Sequence, residues 1–496
     1  MTKQCVHILV VPPPAFGHII PAISLIKRIL NTPSLEDIKD VNAGSERLVT
    51  LLVAKNFLPL LKEKKLIPSS DDSGSEILQG HYGRMRIEVL EDDIEPIYSQ
   101  KLELEFFARL RTYIENVGLY LNSLKANANS ARIPISHIVI DMLFAMFESF
   151  PFAEFPYYFF FTSPAVMTGE DPDKLVLKGP GDDTVNAAAA NFFKEGLIRL
   201  HTRAMTSKGV IWNTARCIEG DYLENYLSLF QHKLLLYPVG PLNLSDIDPG
   251  IESNKNGKVE SHPLDLDQRD NIRDDEVPKD LESWIYRYLD GKSNQSVLYV
   301  SFGTVVYHEP EQITELLNGF NSTGRHILWS LSKKQHASLP VAEMTSPMKG
   351  VLVYNKVTVV EWAPQRAVLS HPSCAAFLTH CGWNSSLESL TYGVGTIHWP
   401  VFADQPAIAK LLVKLGTGVS FELKLDSGSA DPAGTEVVPA DTVFSTIEKF
   451  FGATESGENK YTKRARELSA ELKMAWTPKG EAYHELGLML SRMHQH

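Results

Sequence analysis

Cysteine is scarce in this chain, with Cys5, Cys217, Cys374 and Cys381 the four among 496 residues. They are too few and too scattered for a disulfide framework, and Cys374 and Cys381 lack the CxxC spacing of a zinc site. Thiols in a reducing cytosol are the expectation, and with them a cytoplasmic location. Positive charge is in deficit: 48 Lys and Arg face 60 Asp and Glu, a net charge of -12, which argues against sequence-independent binding to nucleic acid. Long apolar runs are missing as well. The N-terminal run stops at Pro12 and reads as a first strand, not a signal peptide. The most apolar stretch, 143–167, is broken by Glu148, Pro151, Glu154 and Pro156 and is no membrane span.

Several common site motifs are absent. The nearest approach to a Walker loop, Gly291-Lys292-Ser293, has Tyr286 where the first glycine should stand. Gly393-x-Gly395 runs on to His398, so there is no GxGxxG, and GxSxG, HExxH and EF-hand loops are missing too. Dinucleotide oxidoreductases, P-loop enzymes, α/β-hydrolases and zinc proteases therefore recede. No cluster of acids suggests Mg²⁺.

What is present is alternation. Short apolar runs at 6–11, 48–54, 85–90, 137–142, 157–162 and 209–213 read as strands, with helices at 18–30, 101–125 and 185–206 among them. In the first helix Ile19, Ile23, Ile26 and Leu30 make one apolar face. Residues 244–280 are nearly free of large apolar side chains and read as a linker. Strands resume at 297–302, 326–331, 357–361, 375–378, 396–399 and 418–421, and a polar segment at 426–434 precedes closing helices over 441–496. The expectation is α/β architecture, two domains with mostly parallel sheets and a ligand cleft at the strand C-termini.

The densest chemistry lies in residues 362–405. A strand at 374–379 runs into the turn His380-Cys381-Gly382, and Asn384 is a good N-cap for a helix to about Tyr392. A strand feeding a helix N-terminus offers N–H groups and a dipole end to an anion, here beside His380, Asn384, Ser385 and Ser386. Ser385-x-x-Glu388 is equally a capping box that needs no ligand.

With Trp362 opening this box, HCGWNSS in its middle, Glu388 following and Asp404-Gln405 closing it, the chain closely resembles the plant-type secondary-product glycosyltransferases. These are family 1 UDP-dependent enzymes of GT-B fold, with two facing Rossmann-like domains and an interdomain cleft. Residues 13–21 (PPAFGHIIP), 139–141, 158–165 (YFFFTSPA), 237–241 (YPVGP) and 301–304 (SFGT) extend the likeness through both halves. The resemblance implies an acceptor-binding domain at 1–243, a linker at 244–280, a nucleotide-sugar domain at 281–475 and a C-terminal helix at 476–496 packing back on the first domain. It implies that Trp362 stacks on uracil, Ala363 and Gln365 bond its edge, and Glu388 accepts from the ribose hydroxyls. His380, Gly382, Asn384 and Ser385, with Thr304 opposite, hold the diphosphate; Trp383, Asp404 and Gln405 line the sugar, expected to be glucose. Thr162 is a possible sugar contact, and Phe16, Phe144 and Phe147 are possible acceptor-pocket walls. Gly395, Thr396 and His398 depart from the family pattern near the sugar end.

The expected reaction is inverting transfer from a UDP-sugar to a hydroxyl of a small apolar acceptor, such as a phenolic, flavonoid or terpenoid, in secondary metabolism. His18, after a strand and a turn and with Pro21 in the first helical turn, is the general base; imidazole suits that work near neutral pH. Asp141, ending another strand, orients it. Apart from the UDP-sugar co-substrate no cofactor or metal is expected, and a monomer without nucleic-acid partner or membrane span. The rival readings are a nucleotide-sugar hydrolase or epimerase and a non-catalytic UDP-sugar-binding protein.

Overall fold

The computed structural model describes residues 5–34, 37, 46–63, 66–67, 76–80, 83–90, 104–126, 134–167, 183–243, 280–303, 306–341, 345–401, 404–421 and 437–495. They fall into two compact units. One holds the described residues of Met1–Val176, Ala187–Ser245 and Met474–His496, the other those of Leu177–Asn186 and Asp246–Lys473. Apart from Asp280, the linker at 244–280 lies outside the described residues, as does the polar segment at 426–434.

The first unit is built on eight strands: β1 (Cys5–Val11), β2 (Glu46–Ala54), β3 (Glu76–Gly80), β4 (Gly83–Leu90), β5 (His137–Asp141), β6 (Tyr157–Phe161), β7 (Val210–Trp212) and β8 (Leu236–Pro238). Their order is β3-β4-β2-β1-β5-β6-β7-β8. All pairings are parallel except β3 with β4. β5 and β6 are buried along their whole length, as expected of strands covered on both faces; the aromatic run YYFFF is core. The helix Phe16–Asn31 follows β1, and its C-terminal end is tied to β2 by the fully buried Arg47. Arg47 donates to the carbonyls of Ile29 (2.8 Å) and Thr32 (2.6 Å) and pairs with Asp37 at 2.9 Å. Removing one member of such a buried pair typically costs about 3–5 kcal/mol. Pro21 sits one turn deeper in this helix than the sequence suggests, because the helix opens at Phe16. Its missing N–H removes the helical bond to Gly17, a cost met only where packing insists on proline.

The helix Glu481–His494 belongs to this same unit. Trp476 donates its indole N–H to the Pro241 carbonyl (3.2 Å) and carries the Arg28 guanidinium on its face at 3.9 Å. Arg492 donates to the Tyr237 hydroxyl at 2.6 Å, and Arg216 pairs with Glu481 and Glu485.

The second unit has β9 (Val297–Ser301), β10 (His326–Ser330), β11 (Thr345–Met348), β12 (Val351–Tyr354), β13 (Val357–Val360), β14 (Cys374–Thr379), β15 (Thr396–His398) and β16 (Gly418–Ser420). Their order is β11-β12-β13-β10-β9-β14-β15-β16, with the β11–β12 and β12–β13 pairings at one edge antiparallel and the rest parallel. Alternate residues of β9 feed two cores: Leu298 and Val300 pack with Trp329, Phe320, Ile397 and Phe450, while Val297 and Tyr299 pack with Leu328, Val368 and Phe377. That is the period of two expected of a strand buried on both faces. Helix Trp383–Tyr392 starts at the N-cap Gly382, not at Asn384, and ends at Gly393 in the left-handed region (φ 69). Asn384 and Ser385 therefore stand inside the first turn, and the capping-box register of Ser385 with Glu388 does not form.

Candidate active site

In the first unit β1, β5 and β6 are neighbours and parallel, so their C-terminal ends lie side by side. Each end delivers one polar side chain: His18 from the first turn of the helix after β1, Asp141 from the end of β5, Thr162 from just past β6. His18 Nδ1 is 2.8 Å from Asp141 Oδ2 and 2.9 Å from Thr162 Oγ1. The Thr162 hydroxyl also donates to Asp141 Oδ2 at 3.3 Å, and the Leu143 N–H donates to Oδ1 at 2.9 Å. A carboxylate that already accepts from these groups assigns the ring proton to Nδ1 and leaves the Nε2 lone pair as the proton acceptor. The side chain of His18 is 25% exposed and that of Asp141 1%, so the histidine can meet a substrate and the acid cannot. Sequence reasoning placed Thr162 only as a sugar contact; its bond to both partners became visible once β5 and β6 were adjacent.

Of the three candidate acceptor walls, Phe16 is half-buried with its ring 4.9 Å from Phe57. Phe144 and Phe147 are core residues, Phe144 packing on Tyr113 and Phe152.

In the second unit β14 turns through His380-Cys381-Gly382 into helix Trp383–Tyr392. Cys381 takes φ 66, a left-handed conformation costly to a non-glycine residue. A Cβ on Gly303 or Gly382 would approach the His380 ring to 2.7 or 2.5 Å, so both glycines are needed for the ring to lie where it does. Burial pushes the His380 pKa down to about 4, against a bond to the Ser301 backbone that favours the charge. The ring is neutral near pH 7 and can serve an anion as a hydrogen-bond donor but not as a counter-ion.

Gln365 and Glu388 are joined: the Gln365 amide donates to Glu388 Oε2 at 2.7 Å and to Ser385 Oγ at 3.1 Å, and its oxygen faces the Tyr299 hydroxyl at 3.4 Å. Burial raises the Glu388 pKa, opposed by Arg366 and by the Gln365 bond. Trp362 is 48% exposed, whereas Ala363 and Trp383 are buried. Gln405 is also buried and accepts from the Val401 N–H at 2.8 Å through its side-chain oxygen. Asp404 occupies the N-cap position of helix Gln405–Lys414 and makes no side-chain cap bond. Thr304 lies outside the described residues. The departing residues near the sugar end are internal: Thr396 Oγ1 bonds His398 Nε2 at 2.7 Å, and a Cβ on Gly395 would strike Phe450. Burial holds the His398 ring neutral, its pKa pushed down to about 3.

Among the described residues no group of three or more His, Cys, Asp or Glu side chains could hold a metal ion, and no helix is long and apolar enough to cross a membrane.

A solved UDP-glucosyltransferase from Polygonum tinctorium superposes with a TM-score of 0.70 at 20% identity, covering all of both chains. With two α/β units of this topology, the fold is GT-B. The family described as UDP-glucoronosyl and UDP-glucosyl transferase matches residues 269–437. UDP-glycosyltransferase 73C4 of Solanum lycopersicum is 31% identical over 56% of this chain and 75% of its own length. UDP-glycosyltransferase 71K1 of Malus domestica is 25% identical over 97% of both. The chain belongs to the UDP-glycosyltransferases, enzymes that move a sugar from a UDP-sugar to an acceptor.

Proposed function

We propose that the protein transfers glucose, with inversion, from UDP-glucose to a hydroxyl of a small apolar acceptor such as a phenolic, flavonoid or terpenoid, with His18 as general base and Asp141 as its support. The observation that carries this reading is the bridge of His18, Asp141 and Thr162 at three adjacent strand ends. Nε2 takes the acceptor's proton; the oxygen then attacks the anomeric carbon as the bond to UDP breaks on the opposite side, giving the inverted product. Asp141 holds the protonated Nδ1 edge and meets the positive charge that forms on the ring. On the donor side, Trp362 supplies the face for uracil, Glu388 accepts from the ribose, and His380, Gly382, Asn384 and Ser385 meet the diphosphate at a helix N-terminus. Thr304 completes that set, and Trp383, Asp404 and Gln405 line the sugar. The solved neighbour is described as able to glucosylate indoxyl, which favours glucose and a small aromatic acceptor.

The test is incubation with UDP-glucose, with and without a phenolic acceptor. An acceptor heavier by one hexosyl group, β-linked by NMR, is the expected result. UDP release indifferent to acceptor would mean hydrolysis or epimerisation, and binding without turnover would mean a sensor.

A further inference from the structure

Thr162 can bridge His18 and Asp141 only if the chain leaves β6 in one direction, and four bonds fix that exit. The Trp212 indole N–H donates to the Ser163 carbonyl at 2.7 Å, and the Ser163 hydroxyl lies 2.9 Å from the Met142 sulfur. The next turn, Ala165–Met167, is held by one side chain, Glu219: its Oε1 accepts from the Val166 N–H at 2.9 Å, and the Ala165 N–H also bonds the carboxylate. Its other oxygen accepts from the Thr214 hydroxyl at 2.7 Å. Glu219 is 1% exposed and interrupts helix Arg216–Leu229 with φ −127 and ψ 23, which turns the carboxylate toward the 162–167 segment. A buried carboxylate is costly to keep, and the donors recorded on this one are the Thr214 hydroxyl and the backbone of the segment that carries Thr162.

We infer that Glu219 is a positioning residue for the transfer reaction: by anchoring residues 165 and 166 it holds Thr162 where its hydroxyl locks the His18 ring against Asp141. The inference rests on His18 being the base. Glu219 touches no substrate; it acts through Thr162.

The experiment is a double-mutant cycle on the full chain, with kcat per folded molecule, KM for UDP-glucose and Tm measured for each variant. Glu219→Leu removes the acceptors and is expected to lower kcat roughly tenfold or more with KM for UDP-glucose unchanged, since a misplacement of about 1 Å can cost about 100-fold. Glu219→Gln, which keeps one acceptor oxygen, restores most of it. Combining Glu219→Leu with Thr162→Val slows the enzyme no further than the slower single variant, because residues acting through one another are non-additive. If Glu219→Leu does not fold, Glu219→Ala, which also removes both acceptor oxygens, takes its place in the cycle and is judged by the same criterion. A Glu219→Leu variant with lower Tm but unchanged kcat per folded molecule overturns the inference, and so do losses that multiply. His18→Ala is the reference: activity close to the unsubstituted enzyme would overturn the reading of the base, whereas an inactive His18→Ala beside a uncoupled cycle overturns only the role of Glu219.

Discussion

Two carboxylates, one in each unit, are held in opposite ways. Asp141 is wired from inside: an imidazole, a hydroxyl and a backbone N–H all reach it, and its side chain is almost wholly buried. Glu388 receives the Gln365 amide on one oxygen, and burial raises its pKa. The first arrangement fixes a ring and is finished before any ligand arrives. The second keeps acceptor capacity for hydroxyl donors that a ligand would bring. On the proposed reading the contrast separates chemistry from recognition: the first unit would hold a preorganised base, the second a set of acceptors and donors around a helix N-terminus.

The hardest blow to that contrast is His18→Ala. Loss of a general base is expected to cut kcat by about 10²–10⁴, while the Kd for UDP measured by calorimetry stays put. A parallel loss of UDP binding would mean that the two regions are not separable as described. Trp362→Ala should do the reverse, raising KM for the UDP-sugar by roughly tenfold to a hundredfold, since aromatic stacking on a base is worth about 1–3 kcal/mol. A change confined to kcat would contradict its role.

Glu388→Gln is expected to weaken UDP about tenfold, the scale of a hydrogen bond to a charged group. The direction with pH follows from the raised pKa. The carboxylate proposed to accept the ribose hydroxyls is protonated as pH falls, and this begins at a higher pH than for an ordinary glutamate. UDP affinity of the unsubstituted enzyme should therefore fall on acidification, and titrations between mildly acid and neutral pH should find Glu388→Gln flat.

Glu219 gives a stability test of the opposite kind. Burial pushes its pKa from 4.5 to about 7, against bonds from Ala165, Thr214 and Val166. A folded-state pKa above the unfolded one means that the neutral form stabilises the fold fully below pH 4.5, and that this stability is lost as pH rises through 7. Glu219→Gln does not titrate, so its stability should gain on that of the unsubstituted protein as pH rises from 4.5 through 7, by up to about 3 kcal/mol at about 1.4 kcal/mol per pKa unit, seen as a widening difference in Tm. A constant Tm difference across that range would show that the carboxylate stays charged in the fold. The smallest effect is expected of Thr396→Val. It removes the partner of buried His398, costing about 1 kcal/mol, and should leave the preference among UDP-sugars unaltered; a changed preference would bring the 396–398 strand into the sugar pocket.

The elements of the proposed donor box could be read from the sequence because they are contiguous: strand, turn and helix follow one another in residues 362–405, and local pattern is enough to see them. The proposed base and its acid were also visible as residues, His18 after a strand and a turn and Asp141 at the end of an apolar run. Thr162's bridge was not, because it depends on β5 lying between β1 and β6, an order that separation along the chain does not reveal. The start of helix Trp383–Tyr392 at Gly382 was missed because Asn384 is the better cap by type, whereas the left-handed Cys381 and the close His380 ring set the turn. The antiparallel edge of β11 and β12 escaped notice since TSPM and VLVY carry little alternation of their own.

The return of residues 474–495 to the first unit has a consequence for how the protein comes into being. During synthesis every strand of the second unit is made before the helix Glu481–His494, which brings Arg492 to Tyr237. The first unit is thus begun before the second and completed after it: until residues 474–495 emerge, the half that carries His18 lacks the helix that brings Arg492 to Tyr237. A nick or early stop after Lys473 would leave the second unit whole and deprive the first of Trp476 beneath Arg28.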